Sequence, residues 1–380
     1  MNHPIEAVIA DKQDLVFLTE APYFMKVKYE ICEETGKTVA VIDYDQIDSP
    51  RFHPLVDECR GIVIDMETKK VICWPYRRFY NYGECERDEK AFDWNSAVVQ
   101  SKEDGSLIKV YHFAGKWRTG TRGTAFGNNN ITSLTGEEGT ITFKDLFLRA
   151  LGVTEEVFQL TMNLCHSHSE SFFLELCTLE NRVVTPYTED TVFFHGYRFD
   201  GNKDVTVPFW DNFGKGKKGS FKYKLNEAFQ MNSFDHCVET VAQLGGLREG
   251  FVLCDQNGTR IKLKSSAYVT AHHIKGEGLT PKRAAKLAWT NEWQEFLSYF
   301  PEYTEYIMKY VIHHDRVING IEVDWEENKH ITDQKEFALK VKDKRWSGVL
   351  FTIKKTGKSA KDIINDMTEN GKINLFCPEN

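Results

Sequence analysis

An α+β protein in two parts is what this sequence predicts, and three observations carry that expectation. Alternating or continuous apolar runs, separated by Gly, Asn and Asp turns, recur from Phe24 to Lys264 and read as strands. From about residue 276 the apolar spacing becomes helical. A length of 380 residues allows two domains, with a sizeable core in at least one. The boundary is placed near residue 276, giving a strand-rich part over residues 1–275 and a helical part over residues 276–380.

In chain order, Phe24–Tyr29 and Val39–Tyr44 have strand composition around a Glu34–Lys37 hairpin turn. Glu58-Cys59-Arg60-Gly61 leads into the apolar strand Ile62–Ile64, and a second hairpin passes into Val71–Pro75. Arg77-Arg78-Phe79-Tyr80 sets two arginines beside aromatics, which suits either packing at a sheet edge or a seat for phosphate and base. Lys116–Thr124 is another strand ending on a basic residue and glycine, and Thr142–Thr161 is helical by its Phe143, Leu146, Phe147, Ala150, Leu151 spacing. Thr191–Tyr197 is an apolar aromatic strand. Thr280-Pro281 opens a helix with a cap and an N1 proline. Ala284–Tyr299, Tyr303–His314, Phe337–Leu339 and Ala360–Met367 continue the helical pattern.

Composition narrows the function. Hydrophobic residues at 41% and charged residues at 27% describe an ordinary globular chain, and no apolar run approaches the roughly 18 residues of a membrane span. Met1–Lys12 has no signal-peptide core, and nine scattered cysteines read as reduced thiols, so a cytoplasmic protein is expected. A net charge of −8 argues against a protein that coats nucleic acid, but local basic grooves remain open to it. Lys215, Lys217, Lys218, Lys222 and Lys224 form one basic cluster; Lys262, Lys264, Lys275, Lys282, Arg283 and Lys286 form another.

Four places carry candidate chemistry. Lys102, in Ser101-Lys102-Glu103-Asp104-Gly105-Ser106, stands at a strand-turn-strand junction, where Gly105 permits close backbone approach. At its ordinary pKa of about 10.4 a lysine is protonated and inert; desolvation or neighbouring cations make it a nucleophile. The plain alternative is an exposed Asp-Gly hairpin turn. Glu175 and Glu249 each interrupt an apolar strand, and an isolated buried carboxylate is costly unless paired or functional. Asn181-Arg182 is a nearby structural partner for Glu175. Lys262 and Lys264 alternate with Ile261 and Leu263, so both ammonium groups project from one face and repel unless an anion lies between them. No glycine-rich P-loop is present, and Cys165-His166-Ser167-His168 lacks a second ligand pair at zinc spacing.

Lys102–Ser106, Phe173-Leu174-Glu175-Leu176, Glu249-Gly250-Phe251-Val252 and Lys262-Leu263-Lys264 resemble, in order, motifs I, III, IV and V of the covalent ligase and capping-enzyme superfamily. The flanks Glu58–Gly61, Arg78–Asn81, Arg122-Gly123-Thr124, Asn181–Val184 and Lys264–Tyr268 look like the bacteriophage-type RNA ligase 1 family, over roughly residues 55–270. That resemblance implies a nucleotidyltransferase domain of ATP-grasp-like antiparallel sheets and ATP-dependent ligation of RNA. Lys102 would form a lysyl-AMP, the AMP would pass to a 5′-phosphate end, and a 3′-hydroxyl would displace it. Lys262 and Lys264, with Mg2+ (or Mn2+), would push Lys102 toward its free amine and offset charge on the α-phosphate.

The same resemblance assigns the remaining roles. Glu175 and Glu249 would hold the metal with support from Asp104, and Glu175 would also bind the ribose. Arg60, Arg78 and Arg122 would grip phosphates; Tyr80 and Gly105 would border the nucleotide; Phe193, Phe194 or Phe251 would pack on adenine. Positions 78 and 122 are arginine where some relatives have lysine, which phosphate binding tolerates. The helical part would select the RNA, a single strand or a broken tRNA, and the protein is expected to be a monomer in a cytoplasm (the host's, if phage-encoded). A DNA ligase, a guanylyltransferase and a non-catalytic RNA-binding relative are the rivals. The first two carry a β-barrel after motif V, where this chain reads as helical.

Overall fold

The structure, a computed structural model, describes residues 3–132, 138–199, 203–206, 213, 215–216, 219–276 and 279–378. Lys217 and Lys218 of the first basic cluster lie outside them. The fold is α+β, with two compact units dividing between His272 and His273.

Three larger sheets, with two two-stranded ones beside them, build the described part of the first unit. Met25–Ile31, Thr38–Tyr44, Arg60–Asp65 and Lys70–Cys73 form an antiparallel meander. Its period-2 alternation is visible in the packing: Ala40, Ile42, Ile62 and Ile64 bury on one face, while Val39, Val41, Val63 and Cys73 bury on the other. The second face meets Tyr111, Phe113 and Phe173 of a larger sheet. That sheet runs in the order Lys203–Thr206, Thr191–Phe199, Glu170–Cys177, Ser106–Phe113, Lys116–Thr121, with Lys224–Leu225 added beside Thr191–Phe199. Its far face, including Ile108, Val110, Phe172, Leu174 and Phe194, is covered by the helices Phe143–Leu151 and Glu155–Cys165. A sheet covered on both faces needs apolar residues on both, which explains its near-continuous apolar runs.

The third sheet orders Ala228–Phe229, Val98–Lys102, Gly250–Cys254, Arg260–Lys264 and Tyr80–Asn81, the last pair being parallel. Val99, Phe251, Leu253, Ile261 and Leu263 pack on one face, joined by Cys237 and Val241 of the helix Phe234–Ala242. The alternate positions, Gln100, Lys102, Val252, Cys254, Arg260, Lys262 and Lys264, therefore emerge on the opposite face.

Two expected helices are broken where the backbone turns left-handed. Thr142–Thr161 becomes Phe143–Leu151 and Glu155–Cys165 because Gly152 (φ +72°) caps the first and Thr154 caps the second. Ala284–Tyr299 splits into Pro281–Thr290 and Trp293–Tyr299 at Asn291 (φ +60°). The expected cap holds: the Thr280 side chain accepts a hydrogen bond from the Arg283 N–H.

The second unit is helical among its described residues. Its longest helix, Thr304–Asn328, places Val317 and Ile321 against Phe337, Leu350 and Phe376. Gly320 on that helix lies under the Trp346 ring, where a Cβ would come within 2.4 Å of a ring carbon. The Trp346 indole N–H is satisfied by Asp324 at 2.7 Å. No helix among the described residues is long and apolar enough to cross a membrane.

Candidate active site

Lys102 ends a strand of the third sheet, and Ser106 begins a strand of the larger one. The turn between them is thus a crossing from sheet to sheet, and the hairpin alternative is wrong. Asp104 fixes the crossing. One of its oxygens accepts from the backbone N–H groups of Val184 and Thr185, both at 2.6 Å, and the other accepts from the Tyr268 hydroxyl at 2.7 Å. At Gly105 a Cβ would fall 2.3 Å from the Leu176 carbonyl oxygen and 2.7 Å from the Cys177 sulfur, so the position admits glycine alone without rearrangement.

Between the two sheets opens a cavity of about 440 Å3. Lys102, Gln100, Val252, Cys254 and Arg260 line it from one sheet; Leu107, Thr121, Glu175 and His195 line it from the other. Lys102 Nζ lies 2.6 Å from one Glu249 oxygen, and Lys264 Nζ lies 2.9 Å from the other. The Glu249 side chain is 3% exposed, so this carboxylate is shared between two cations in a nearly dry place. Beside it Gly250 has φ +140°, and a Cβ there would meet the Leu263 carbonyl oxygen at 2.0 Å. Arg60 and Arg122 stand on the cavity's other side. Arg122 is held by two contacts to Asp43, at 2.7 and 2.9 Å, and the Arg60 guanidinium lies 5.3 Å from the Phe79 ring centre.

At Lys102 the protein's own charges favour the ammonium. Burial disfavours its ammonium, but the charges of Glu249 and Glu175 prevail and hold its pKa above the ordinary value. The lowered lysine is Lys262, brought down to about 7 by burial and by Arg60, Lys102 and Lys264. Glu249 is pushed up by burial, yet Lys102 and Lys264 outweigh that and leave it below the usual carboxylate range. The free protein therefore keeps Lys102 as an ammonium, and the lysine cluster alone does not activate it. Removing one partner from such a buried set strands the others and costs about 3–5 kcal/mol.

Among the described residues no group of three or more His, Cys, Asp or Glu side chains converges as a metal site. Glu175 lines the cavity and has the His195 ring 3.4 Å away; Glu249 is spoken for by two lysines. Such sparse oxygen donors fit an ion like Mg2+, which takes one or two carboxylates and completes its shell with water and phosphate.

Several sequence-assigned residues stand elsewhere. Phe251 is one residue out of phase with the cavity face; it is fully buried against Phe229, with ring centres 4.9 Å apart. Phe194 is likewise in the core, and the aromatic rings that line the cavity are Tyr76, Phe79 and Phe143. Tyr80 is buried; its hydroxyl donates to Asp57 at 2.6 Å and accepts from the Phe52 N–H at 2.9 Å. Arg78 is also buried, with Tyr44 at 4.1 Å and Tyr80 at 5.3 Å from its guanidinium. Neither lines the cavity. Both oxygens of Asp104 are engaged by protein donors, so it positions the turn rather than offering a free ligand. Arg182, expected beside Glu175, donates from Nε to the Val184 carbonyl at 2.9 Å. His166 of the Cys165–His168 stretch packs on Phe172.

Sequence reasoning missed Phe79, Arg260 and His195 as cavity residues, and it missed Lys109. Fully buried, Lys109 donates to the Gly61 carbonyl at 2.5 Å, and burial lowers its pKa to about 8. Gly61 (φ +73°) sits so close to Arg122 that a Cβ would be 2.4 Å from the Arg122 carbonyl oxygen. Lys109 thus fixes the backbone beneath Arg60 and Arg122. The signal was present: a lysine inside the apolar strand Ile108–Phe113.

A lysine paired with a buried carboxylate thus lines a cavity of about 440 Å3 that also holds Glu175, Arg60 and Arg122. The chain matches the RNA ligase family over residues 58–268, more than half its length, and belongs to that family. It is 32% identical over 302 residues to an Autographa californica nuclear polyhedrosis virus protein named as a bifunctional polynucleotide kinase/RNA ligase. That match covers 75% of this chain and 41% of the viral protein, so the chain spans about two-fifths of that relative's length. It is 23% identical to an RNA ligase of Rhodothermus phage RM378, covering 82% of this chain and 85% of the phage protein. An archaeal ATP-dependent RNA ligase (form 1) is similar in structure, with a TM-score of 0.48 at 14% identity over 83% of each chain.

Two outcomes are expected. In Glu249→Gln, loss of the carboxylate removes what holds the Lys102 ammonium, so the pH midpoint for Lys102 modification by an amine-reactive reagent moves to lower pH; peptide mass mapping reads it. Phosphates bound beside Lys262 favour its charged form, so at about pH 8 ATP binding takes up a proton, and this uptake is lost at about pH 6, where Lys262 is already charged. Calorimetry in buffers of different ionisation enthalpy measures it, and Lys262→Met abolishes the difference.

Proposed function

We propose that this chain is an ATP-dependent RNA ligase joining 5′-phosphate and 3′-hydroxyl ends. The observation that carries the reading is Lys102, held at the junction of two sheets against Glu249 and opening on a cavity with Glu175, Arg60 and Arg122. Lys102 Nζ attacks the α-phosphorus of ATP; a phosphorus–nitrogen bond forms, the α–β anhydride breaks, and pyrophosphate leaves. A 5′-phosphate oxygen of RNA then displaces Lys102 to give an RNA–adenylate. Finally a 3′-hydroxyl oxygen attacks that phosphate, and AMP departs.

The chain's own groups divide the work. Before attack Lys102 must lose a proton, and its N–H is directed at a Glu249 oxygen, the first acceptor on the way out. Arg60, and Arg122 preset by Asp43, suit the β- and γ-phosphates, because a fixed guanidinium needs no reorganisation when charge develops. Mg2+, with Mn2+ as the alternative ion, would be held by Glu175, both oxygens of Glu249 being engaged by Lys102 and Lys264, and would neutralise charge on the α-phosphate. Phe79, between Arg60 and Lys262, is the aromatic best placed to meet the base.

The described residues after Lys264 form helices and no strand, which favours this reading over the DNA ligase and capping alternatives. We assign RNA selection, of a single strand or a broken tRNA, to the helical unit of a monomer, and RNA repair as the purpose.

With α-labelled ATP and Mg2+, label stays on the denatured chain and is lost in Lys102→Ala; label from GTP alone, or none in a chain free of bound AMP by mass spectrometry, overturns the assignment. Removing residues 276–380 leaves lysyl-AMP formation and erases the preference for broken tRNA over a plain oligonucleotide; an unchanged preference sinks the role of the helical unit.

A further inference from the structure

A second concavity, of about 350 Å3, lies beside the strand Arg260–Lys264. Lys262 and Lys264 line it, and so do Tyr82, Val238, Val241 and Val269. Two of its apolar side chains face solvent: Tyr82 is 38% exposed and Val238 is 39% exposed. The Tyr82 backbone N–H donates to the Lys262 carbonyl at 2.8 Å, so the ring is tied to the lysine-bearing strand. Its ring stacks on Phe234, with centres 4.9 Å apart and planes 23° apart, and Phe234 is in turn braced by Phe92 and Trp94. Tyr82 is thus a rigid aromatic shelf with one side supported. The nearby Glu84 carboxylate, which would repel a phosphate, is engaged by Arg51 at 3.2 Å and by the Asn81 N–H at 2.8 Å.

Exposed aromatic surface beside paired cations is the composition of a single-strand nucleic-acid groove, where bases stack and lysines follow the backbone. The two lysines belong to both concavities' chemistry, since Lys264 also holds Glu249, the partner of Lys102. We infer that this groove seats the RNA strand supplying the 5′-phosphate, with its terminal phosphate on Lys262 and Lys264 and its first base against Tyr82. The inference rests on the ligase reading and adds to it where the acceptor of AMP lies. An end so placed meets the lysyl-AMP from the side of the third sheet, leaving the cavity between the sheets to the nucleotide.

The test uses the full chain, isolated already adenylylated on Lys102, and a short 5′-phosphorylated oligoribonucleotide. Single-turnover transfer of AMP to RNA and anisotropy-measured binding are followed in Tyr82→Ala, Tyr82→Phe and Val238→Glu. Tyr82→Ala weakens binding and slows transfer at low RNA by roughly tenfold, the loss of one stacked base. Tyr82→Phe stays within about twofold, because the ring face is kept. Val238→Glu, a change at a solvent-facing position that spares Phe234 packing, also weakens binding, and it does so more at low salt. Binding and transfer unaltered in both Tyr82→Ala and Val238→Glu would overturn the groove assignment. A chain that binds the oligonucleotide through Tyr82 but forms no lysyl-AMP would uphold the groove and overturn the ligase reading instead.

Discussion

The chain passes from one sheet to another within Glu103-Asp104-Gly105, and the site depends on that passage being immovable. Asp104 joins three segments far apart in sequence, at the turn itself, at Val184-Thr185 and at Tyr268, through three hydrogen bonds. Gly105 lets the turn press on the Leu176 carbonyl, and Leu176 directly follows Glu175 in its strand. Lys102 and Glu175, a carboxylate from the other sheet, are brought to one cavity by that contact. A buried carboxylate whose oxygens are all satisfied adds rigidity where a partly satisfied one would add cost.

Charge is arranged around the same passage as a balance rather than as a simple cationic field. Glu249 compensates Lys102 and Lys264, Asp43 compensates Arg122, and Lys262 is left with its charge least supported. An anion placed here would meet two kinds of cation: Arg122, already preset, and Lys262, which would gain its full charge on contact. The low-dielectric setting makes each of these interactions stronger than it would be in water, and it makes any mismatch correspondingly costly.

Much of this was legible from residue order. The alternation of Lys262 and Lys264 with Ile261 and Leu263 put two cations on one face, and the carboxylates inside apolar strands drew attention to Glu175, which lines the cavity, and to Glu249, which pairs with Lys102. Phase is where reading failed. Phe251 sits one residue from the cavity face, and Arg78 and Tyr80 flank the residue, Phe79, that reaches it; irregular backbone before Tyr80–Asn81 gives no period from which to tell them apart. The balance of the protein's own charges at Lys102 was not legible for a different reason. Motif order shows which charges are near, but the sign of their sum depends on Glu249 being closer than the cations, a matter of ångströms.

Lys109 has a consequence for inheritance. Its amine and the Gly61 carbonyl satisfy each other in a fully buried place, and the glycine is in turn required by the Arg122 backbone. A descendant that loses the amine leaves the carbonyl stranded, and one that gains a side chain at position 61 displaces the Arg122 backbone. Positions 61, 109 and 122 are thus bound to drift together or not at all, and a lineage that abandons lysine at 109 must find another long donor before it can let the first one go.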